Sequence, residues 1–285
     1  MINSNHTLFA LRSQLYRWRQ QLAVLAASTD PTVRSRAERL RKLKGAYSGK
    51  RCFIMGNGPS LNKMDLALLA DDLVWGTNRC YLLFDRVTWR PAFFTAVDKL
   101  VVPDNRAQID VLPGQLPQTR FFYPVEFRAQ GILNSYPNVF WFNEKSMAVD
   151  MAQLPEGTFT RDASRHVYAA FTVTVAALQL AVYLGFNPIY LIGCDTSYAR
   201  IASDPLSAGS QERLVSKVEA DPNHFDPTYF NQGKKFHEPH VARMLFHYHE
   251  AHLVCDSMGV KVFNATEGGN LEEFPRVEYN ELFSG

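Results

Sequence analysis

The chain has 285 residues, of which 46% are hydrophobic and 20% are charged, and its formal net charge is +2. This composition is typical of a soluble globular protein and excludes a fibrous or intrinsically disordered chain. The length accommodates one large α/β domain, or such a domain with an appendage.

The first 49 residues are predicted to form a basic helical arm. Apolar residues recur at helical spacing over 7–27, and a second helix is predicted over 32–44 after the turn at Pro31. From Arg12 to Arg51 there are eleven Lys and Arg residues against two acidic ones, a balance of +9 that leaves −7 for the rest of the chain. Two interpretations stand side by side: a helix packed on its own subunit, and an arm that binds the anionic inner leaflet of a membrane.

The cysteines and the apolar segments favour a cytoplasmic location. No two of the four cysteines have the CxxC spacing, and the N-terminus has no apolar core followed by a cleavage site, so reduced thiols are expected. The uncharged segment 167–194 is divided at 185–188 by Gly and Pro, which favours a buried helix and a buried strand over a membrane span. Nucleic-acid binding is not expected, because the basic residues cluster in the arm and the rest of the chain is acidic.

From Lys50 onward, short apolar runs alternate with helical segments, which is the pattern of an α/β fold. The predicted fold class is α/β, with a Rossmann-like, mostly parallel sheet flanked by helices, an N-terminal helical arm over 1–49 and a lid-like insertion. The catalytic domain is predicted over 50–285, and the lid is predicted as a polar loop over 199–240. The predicted strands cover 51–55, 73–76, 92–97, 119–123, 138–142, 189–192 and 260–263. The predicted helices of this domain cover 61–70, 172–184 and 241–258.

A glycine-rich turn, Gly56-Asn57-Gly58-Pro59-Ser60, lies between the first predicted strand and the first predicted helix. Glycines allow the backbone to turn sharply and to approach a ligand, and the start of a helix offers free N–H groups to an anion. Ser60 is predicted as the N-cap of that helix, and the short amide of Asn57 suits a sugar or phosphate oxygen. The turn is neither the GxGxxG fingerprint nor a Walker A loop, and a purely structural turn is the alternative.

Polar residues follow the first three predicted strands. Asn57 follows the first strand, Asn78 follows the second, and Asp98 ends the third. Because ligands of open α/β sheets gather beyond the carboxyl ends of the strands, we expect these three side chains to converge on one crevice. Each residue taken alone is also a common turn former.

Two blocks of the chain resemble a family of transferases. IMGNGPSLNKMDLALL, at 54–69, and TVTVAALQLAVYLGFNPIYLIGCD, at 172–195, are similar to blocks of the bacterial sialyltransferases of glycosyltransferase family 42. They also resemble the broader MptE-like group (domain of unknown function 115), which includes the Maf flagellin glycosyltransferases and the archaeal 6-hydroxymethylpterin diphosphokinases. PNHFDPTYF and NATEGGNLEEFPRVEY are similar to members of that group associated with surface-polysaccharide synthesis.

The resemblance implies roles for residues that match it. The predicted donor-binding residues are Gly56, Asn57, Gly58, Ser60, Asn78, Asp98, Thr172 and Asp195. Thr172 would touch the transferred sugar. In the sialyltransferases a pair of tyrosines after the Gly-x-Asp strand end binds the leaving phosphate, and Tyr198 and Tyr229 are the candidates for that role by position. The family's first tyrosine falls on Ser197 in this sequence.

A histidine on the predicted lid is expected to act as the general base. An unperturbed histidine has a pKa of about 6.5, which suits a group that takes the proton of an acceptor hydroxyl near neutral pH. His224 is the first choice and His237 the second, and a loop-ordering hydrogen bond is the alternative for His224. Negative charge that develops on the departing phosphate needs hydrogen-bond donors, which tyrosine hydroxyls, Lys234 or Lys235, or a helix N-terminus would supply.

No metal site is predicted. The sequence His-Glu-Pro-His at 237–240 is one residue short of HExxH, and Pro239 would break the helix that this motif requires. His249 and His252 come close together on the last predicted helix, where a solvated or core-lining helix face explains them better. No Asp-x-Asp pair stands at a strand end.

The predicted function is transfer of a sugar from a nucleotide-sugar donor to a surface glycan or glycolipid, without a metal or other cofactor. The resemblance implies a CMP-linked nonulosonic acid as the donor. The expected reduced thiols favour the cytoplasm, and the basic arm would hold the enzyme at the inner membrane if it binds the anionic leaflet. One alternative is ATP- and Mg²⁺-dependent pyrophosphoryl transfer to a hydroxymethylpterin, with Asp98 and Asp195 as metal ligands. A second alternative is a non-catalytic nucleotide-binding module, and a homo-oligomer is left open.

Overall fold

A seven-stranded parallel sheet forms the centre of the protein, which we describe from a computed structural model covering residues 38–131, 136–145, 158–208 and 212–284. The strands of this sheet are β1 (Cys52–Met55), β2 (Val74–Thr77), β3 (Phe93–Thr95), β4 (Arg120–Pro124), β5 (Val139–Phe142), β8 (Ile189–Ile192) and β12 (Val262–Asn264). Their order in the sheet is β12-β8-β1-β2-β3-β4-β5, and every neighbouring pair is parallel. The predicted α/β class with a Rossmann-like sheet is confirmed.

The strand order reverses between β1 and β8. From β1 the chain proceeds outward through four strands to one edge of the sheet, and it then returns to place β8 on the other side of β1. In open α/β sheets, ligands bind outside the carboxyl ends of the strands near such a switch point. The glycine-rich turn follows β1 and Gly193 follows β8, so both loops border this switch point.

Two long helices cover one face of the sheet together with the start of the described chain. After residue 50, the α-helices within the described ranges are α1 (Val101–Asp104), α2 (Arg106–Ile109), α3 (Leu112–Gln115), α4 (Val125–Ala129), α5 (Val173–Leu184) and α6 (Val241–Ser257). Helix α5 is buried along its whole length between α6 and strands β1 to β3. It ends at Gly185, whose φ of 93° is the left-handed conformation of a helix C-cap, as the sequence predicts.

Alternate residues of the strands build two separate apolar cores. On the face covered by α5, the rings of Trp75 and Phe93 stack at 4.9 Å between centroids. On the opposite face, Phe94 and Phe121 pack at 5.3 Å. Because a parallel sheet is buried on both faces, its strands are continuous apolar runs.

The predicted helix over 61–70 is wrong. The structure has two short 3-10 helices there, Pro59–Lys63 and Leu66–Leu69, separated by an extended Met64. The side chain of Asp65 accepts a hydrogen bond from the backbone N–H of Ala67 and caps the second of them, so it starts a new turn instead of continuing the first.

The polar segment predicted as a loop over 199–240 contains an antiparallel sheet. Its strands are β9 (Ser203–Pro205), β10 (Arg213–Ser216) and β11 (Lys235–His237), in the order β11-β10-β9. A separate parallel pair is formed by β6 (Glu144–Lys145) and β7 (Val167–Tyr168). The insertion is therefore a small structured layer, which we call the insertion sheet, and not an irregular loop.

The predicted basic arm lies mostly outside the described residues, since these begin at residue 38. The chain is helical over 38–42, and Leu40 is buried in the core on the α5 face. Tyr47 stacks on Phe186 at 4.8 Å, and its backbone N–H donates to the carbonyl of Leu184. The end of the predicted arm is thus packed on the main domain. No helix within the described ranges is long and apolar enough to cross a membrane.

Candidate functional site

A pocket of about 700 Å³ opens at the carboxyl edge of the parallel sheet, beside the switch point. It is walled by the ends of β1, β2, β3 and β8, by the start of α5, and by the segment that carries the insertion sheet. Eleven of the predicted site residues line it: Gly56, Asn57, Gly58, Asn78, Asp98, Thr172, Asp195, Tyr198, His224, Tyr229 and His237, the second choice for the base. Ser60 is buried behind the wall. Because Asn57, Asn78 and Asp98 all line the pocket, the ends of the first three strands converge on one crevice, as the sequence predicts.

The glycine-rich turn does not offer its glycine amides to a ligand. The N–H of Gly56 donates to the carbonyl of Ile192 at 2.8 Å, and the N–H of Gly58 donates to the carbonyl of Gly193 at 2.9 Å. A Cβ atom on Gly58 would lie 1.8 Å from Oδ2 of Asp195, and one on Gly56 would lie 2.3 Å from the carbonyl oxygen of Gly193. The glycines are required because the loops after β1 and β8 touch, which corrects the expectation of free N–H groups for a phosphate.

Ser60 joins these two loops. Its N–H and its hydroxyl donate to the two carboxylate oxygens of Asp195, at 3.1 and 2.7 Å. The first 3-10 helix has Gly58 as its N-cap, so the prediction of Ser60 as an N-cap is wrong. The sequence pointed to a capping residue because serine is common there, whereas its partner lies 135 residues away.

Two amide oxygens at the ends of β1 and β2 have no partner. The side-chain N–H₂ of Asn57 donates to the carbonyl and the hydroxyl of Thr77, at 3.2 and 3.0 Å. The Oδ1 atoms of Asn57 and Asn78 are buried and accept no hydrogen bond within the described part of the chain. Buried polar atoms are nearly always paired, so this wall of the pocket suits a ligand with N–H or O–H groups.

Residues other than glycine with a left-handed backbone cluster at this pocket. Among the described residues they are Asn78, Phe171 and Thr196, with φ of 46°, 54° and 49°, and all three line the pocket. Such conformations cost of order 1–3 kcal/mol each and concentrate at functional sites, where the surrounding structure imposes them. For Phe171 the cost is notable because a bulky side chain rarely adopts this region.

Asp98 and Thr172 have structural partners as well as positions in the pocket wall. The carboxylate of Asp98 caps α1 by accepting from the N–H of Leu100 at 2.7 Å, and it faces Nδ1 of His237 at 3.3 Å. Burial raises the pKa of Asp98, but the His237 contact and the backbone donors outweigh it, and the net pKa lies below the ordinary value. The hydroxyl of Thr172 is the N-cap of α5, accepting from the N–H of Thr174.

His224 lies against a buried carboxylate that the sequence analysis did not single out. Its Nδ1 is 2.7 Å from Oδ2 of Asp221, whose side chain has no exposed surface. The same carboxylate accepts from the backbone N–H groups of Asn223 and Phe230, at 2.8 and 3.0 Å. Acceptance by Asp221 places the imidazole proton on Nδ1, which leaves the lone pair of Nε2 available to take a proton.

The ring of His224 is fixed by aromatic neighbours. It stacks on Tyr229 with 3.9 Å between centroids and 3° between planes, and the edge of Phe230 meets it at 5.0 Å. Tyr229 is itself buried, and its hydroxyl accepts from the N–H of Arg79 at 3.4 Å.

The only sequence signal for Asp221 was its spacing, three residues before His224 in a polar stretch.

The segment that follows β8 runs along the pocket next to the His224 loop. The N–H and the carbonyl of Ala199 both bond to the side chain of Asn223, at 2.7 and 2.8 Å. Burial raises the pKa of Tyr198 to about 12, although 38% of the residue is exposed, so its hydroxyl is a hydrogen-bond donor at neutral pH. Tyr198 is thereby tied through its neighbour to the loop of His224.

The remaining predicted donors and ligands lie elsewhere. Lys234 donates to the side chain of Asn105, and Lys235 pairs with Asp104 at 3.3 Å, so neither lysine lines the pocket. His249 faces Glu273 at 3.0 Å on the outside of α6. Within the described ranges no three or more His, Cys, Asp or Glu side chains are grouped so as to hold a metal ion.

No protein-family model and no curated protein matches the chain. Among solved structures, it is similar to the Maf glycosyltransferase of Magnetospirillum magneticum AMB-1, with a TM-score of 0.46 and 15% identity over 86% of this chain and 38% of that one. It is also similar to the sialyltransferase CstII of Campylobacter jejuni in complex with cytidine-5'-monophosphate, with a TM-score of 0.42 and 13% identity over 82% of this chain and 86% of that one. The chain spans less than two fifths of the Maf structure.

Proposed function

We propose that the protein is a glycosyltransferase that moves a sugar from a nucleotide-activated donor to an acceptor hydroxyl, with His224 as the general base. The observation that carries this proposal is the contact of His224, which lines the pocket beside the switch point of the sheet, with the buried carboxylate of Asp221. His224 supplies a proton acceptor at the pocket, and the pocket volume of about 700 Å³ suits a ligand of nucleotide-sugar size.

In the proposed reaction the acceptor hydroxyl gives its proton to Nε2 of His224 while its oxygen attacks the anomeric carbon of the donor. The bond between that carbon and the phosphate oxygen breaks, and the phosphate leaves with the electron pair. The imidazolium that forms is stabilised by Asp221, which stays ionised. A single displacement of this kind inverts the configuration at the anomeric carbon.

We propose a CMP-linked nonulosonic acid as the donor and a surface glycan or glycolipid as the acceptor. This finer assignment is supported by the resemblance of 54–69 and 172–195 to the sialyltransferases. The partnerless oxygens of Asn57 and Asn78 suit the amine and hydroxyl donors of a cytidine. The reaction as written uses no metal or other cofactor, and the enzyme would work in the cytoplasm at the inner membrane.

The carboxylates that a Mg²⁺-dependent pyrophosphoryl transfer would need are already engaged. Asp195 accepts two hydrogen bonds from Ser60, and Asp98 faces His237 and caps α1.

A thermal-shift panel of CMP, CDP, UDP, GDP and ATP with Mg²⁺ separates the alternatives, since a ligand raises the melting temperature with the logarithm of its excess over Kd. Stabilisation by CMP supports the proposal, whereas stabilisation by ATP with Mg²⁺ alone, or by none of the nucleotides, overturns it.

Replacing the base tests the chemistry itself. We expect His224→Asn to keep nucleotide binding and to lower the turnover of sugar transfer by about 100- to 10,000-fold, because the proton acceptor is gone. The matched control is His249→Asn, on the exposed side of α6, which should keep full turnover. If His224→Asn also keeps full turnover, the assignment of the base is wrong.

The proposed membrane contact is tested separately. We expect a chain without residues 1–37 to lose flotation with liposomes that contain anionic lipid while it keeps nucleotide binding, because the cluster of Lys and Arg residues is reduced. The truncation stops before Leu40, which is buried in the core. Equal flotation of both chains would discard the membrane role of the arm.

A further inference from the structure

The loop that carries the proposed base is bonded to the loop after β1. The backbone N–H of Phe225, the residue after His224, donates to the carbonyl of Asn57 at 3.0 Å. The carbonyl of Phe225 accepts from the side chain of Asn62 at 2.9 Å. One side of the His224 loop is thus anchored to the strand end that carries Asn57.

Arg79 holds the other side of this loop. It follows Asn78 at the end of β2, and its side chain is buried. Its Nη1 donates to the carbonyl of Thr228 at 3.1 Å and to the carbonyl of Tyr229, and its Nε donates to the hydroxyl of Tyr81 at 3.2 Å. One guanidinium thereby joins the end of β2 to two consecutive residues of the insertion.

Tyr229 contacts Arg79 through its carbonyl, its hydroxyl and its ring. The carbonyl accepts from Nη1, the hydroxyl accepts from the backbone N–H of Arg79 at 3.4 Å, and the ring centroid lies 5.2 Å from Cζ. His224 stacks on the same ring with 3.9 Å between centroids. A shift of Tyr229 would therefore move the surface that fixes the imidazole against Asp221 and toward the pocket.

The positive charge of Arg79 has no carboxylate partner. Within the described ranges its guanidinium meets three neutral acceptors, two carbonyls and one hydroxyl, and no Asp or Glu side chain pairs with it. A buried charge costs free energy unless it is paired and hydrogen-bonded, and departures from such rules concentrate at functional sites. An arrangement of this kind is expected where the relative position of two segments matters more than stability.

We infer that Arg79 is a positioning residue for the proposed reaction, which fixes Tyr229, and through it the imidazole of His224, against the end of β2 that carries Asn78. The inference rests on the proposed function. Asn78 lines the pocket and Arg79 does not, so Arg79 acts on the base and not on the donor. It exchanges no proton, because the acceptor hydroxyl gives its proton to Nε2 of His224. Its loss should therefore lower kcat and leave nucleotide affinity in place.

The test measures kcat, the KM for the donor and the melting temperature of the full chain, for wild type, Arg79→Gln, His224→Asn and the double variant. Turnover is followed as CMP released from a CMP-linked nonulosonic acid with a glycan acceptor, and the Kd of CMP is measured by calorimetry. We expect Arg79→Gln to lower kcat by about 10- to 100-fold, with the KM and Kd within about 3-fold of wild type. The double variant should have the kcat of His224→Asn alone, since Arg79 acts only through the imidazole.

A control variant and a conservative variant separate positioning from a general loss of stability. Arg51 joins distant segments at the amino edge of the sheet, through Asp72 and the carbonyl of Leu282. Arg51→Gln should lower the melting temperature and leave kcat unchanged. Arg79→Lys keeps the charge but cannot reach all three acceptors, so it should lower kcat by only about 3- to 10-fold. If Arg79→Gln does not fold, Arg79→Lys decides the test.

The outcomes distinguish this inference from the proposed function. Full kcat in the Arg79 variants overturns the positioning role while the proposed base stands. A double variant that is slower than His224→Asn by the full factor of Arg79→Gln also overturns it, because Arg79 would then act independently of the imidazole. A His224→Asn variant with full kcat, or a wild type that releases no CMP, overturns the proposed function and this inference with it.

Discussion

The loops on the two sides of the pocket differ in how they use their polar groups. On the sheet side, the loops after β1 and β8 bond to each other: Gly58 donates to Gly193, and Ser60 donates twice to Asp195. On the insertion side, Nε2 of His224 and the hydroxyl of Tyr198 have no hydrogen-bond partner within the described ranges. The motif most visible in the sequence therefore builds the frame, while the proposed chemistry belongs to the insertion.

The insertion side is nevertheless rigid where the proposed base stands. Asp221 accepts three hydrogen bonds, one from His224 and two from the backbone. Tyr229 presents a buried ring surface on which the imidazole stacks. An active group must be held in one orientation without losing its free lone pair, and a buried carboxylate at Nδ1 satisfies both needs.

The largest effect on turnover should come from Asp221→Asn, which changes only the insertion side of the pocket. An amide N–H₂ facing Nδ1 would favour the tautomer with the proton on Nε2, so the base would lose its free lone pair. We expect turnover to fall by about 100- to 10,000-fold while nucleotide affinity is kept. The measurement is the steady-state rate of sugar transfer together with calorimetric binding.

Asp204→Asn is the matched control for this variant, since Asp204 has the same charge, lies on β9 of the insertion sheet and pairs with Lys217 at the surface. We expect it to leave turnover unchanged. Equal losses in the two variants would mean that the insertion sheet tolerates no change of charge, and the specific role of Asp221 would fall.

The next effect concerns the sheet side. Gly58 has a φ of −70°, which alanine adopts without strain, so Gly58→Ala tests only the contact of its Cβ with Asp195. We expect the free energy of unfolding in urea to fall by about 3 kcal/mol, because that contact would be at 1.8 Å. Gly233→Ala, with φ of 85° and open space around it, should cost about 1 kcal/mol. Similar costs in both variants would show that the two loops do not constrain each other.

The sequence predicted the parts of the fold that local pattern decides. The strand Ile189–Ile192 was located correctly because an apolar run stands between Pro188 and Gly193, and α5 because its apolar run stands between Thr172 and Gly185. The convergence of strand ends on one crevice followed from the geometry of parallel sheets alone. These features depend on neighbours within a few residues or on a general rule of sheet topology.

The features that the sequence analysis missed depend on distant partners. The helix predicted over 61–70 fits the apolar spacing, but Ser60 is drawn to Asp195 and Asp65 caps a separate turn. The role of Asp221 becomes visible only when its loop has been placed against the pocket. The alternation in Arg213–Ser216 was too short to distinguish a strand from a polar loop.

The smallest effect should come from Glu126, a place where the sheet side leaves a polar atom unpaired. One carboxylate oxygen of this buried residue has no hydrogen-bond partner in the described ranges. Burial, with a further contribution from the charge of Glu144, raises the pKa of Glu126 from its ordinary value of 4.5 to about 7. Between these two pKa values the folded protein holds a proton that the unfolded chain has released. The free energy of unfolding should therefore fall as the pH rises through this window.

Replacing Glu126 tests whether its buried carboxylate causes this decline. We expect Glu126→Gln to remove part of the decline in the free energy of unfolding between pH 5 and pH 8, by roughly 1 to 3 kcal/mol, as measured by urea unfolding at each pH. Glu219→Gln, at an exposed position of the insertion, should keep the decline of the wild type. If the two variants decline equally, Glu126 does not titrate in this window and the expected effect of its raised pKa is wrong.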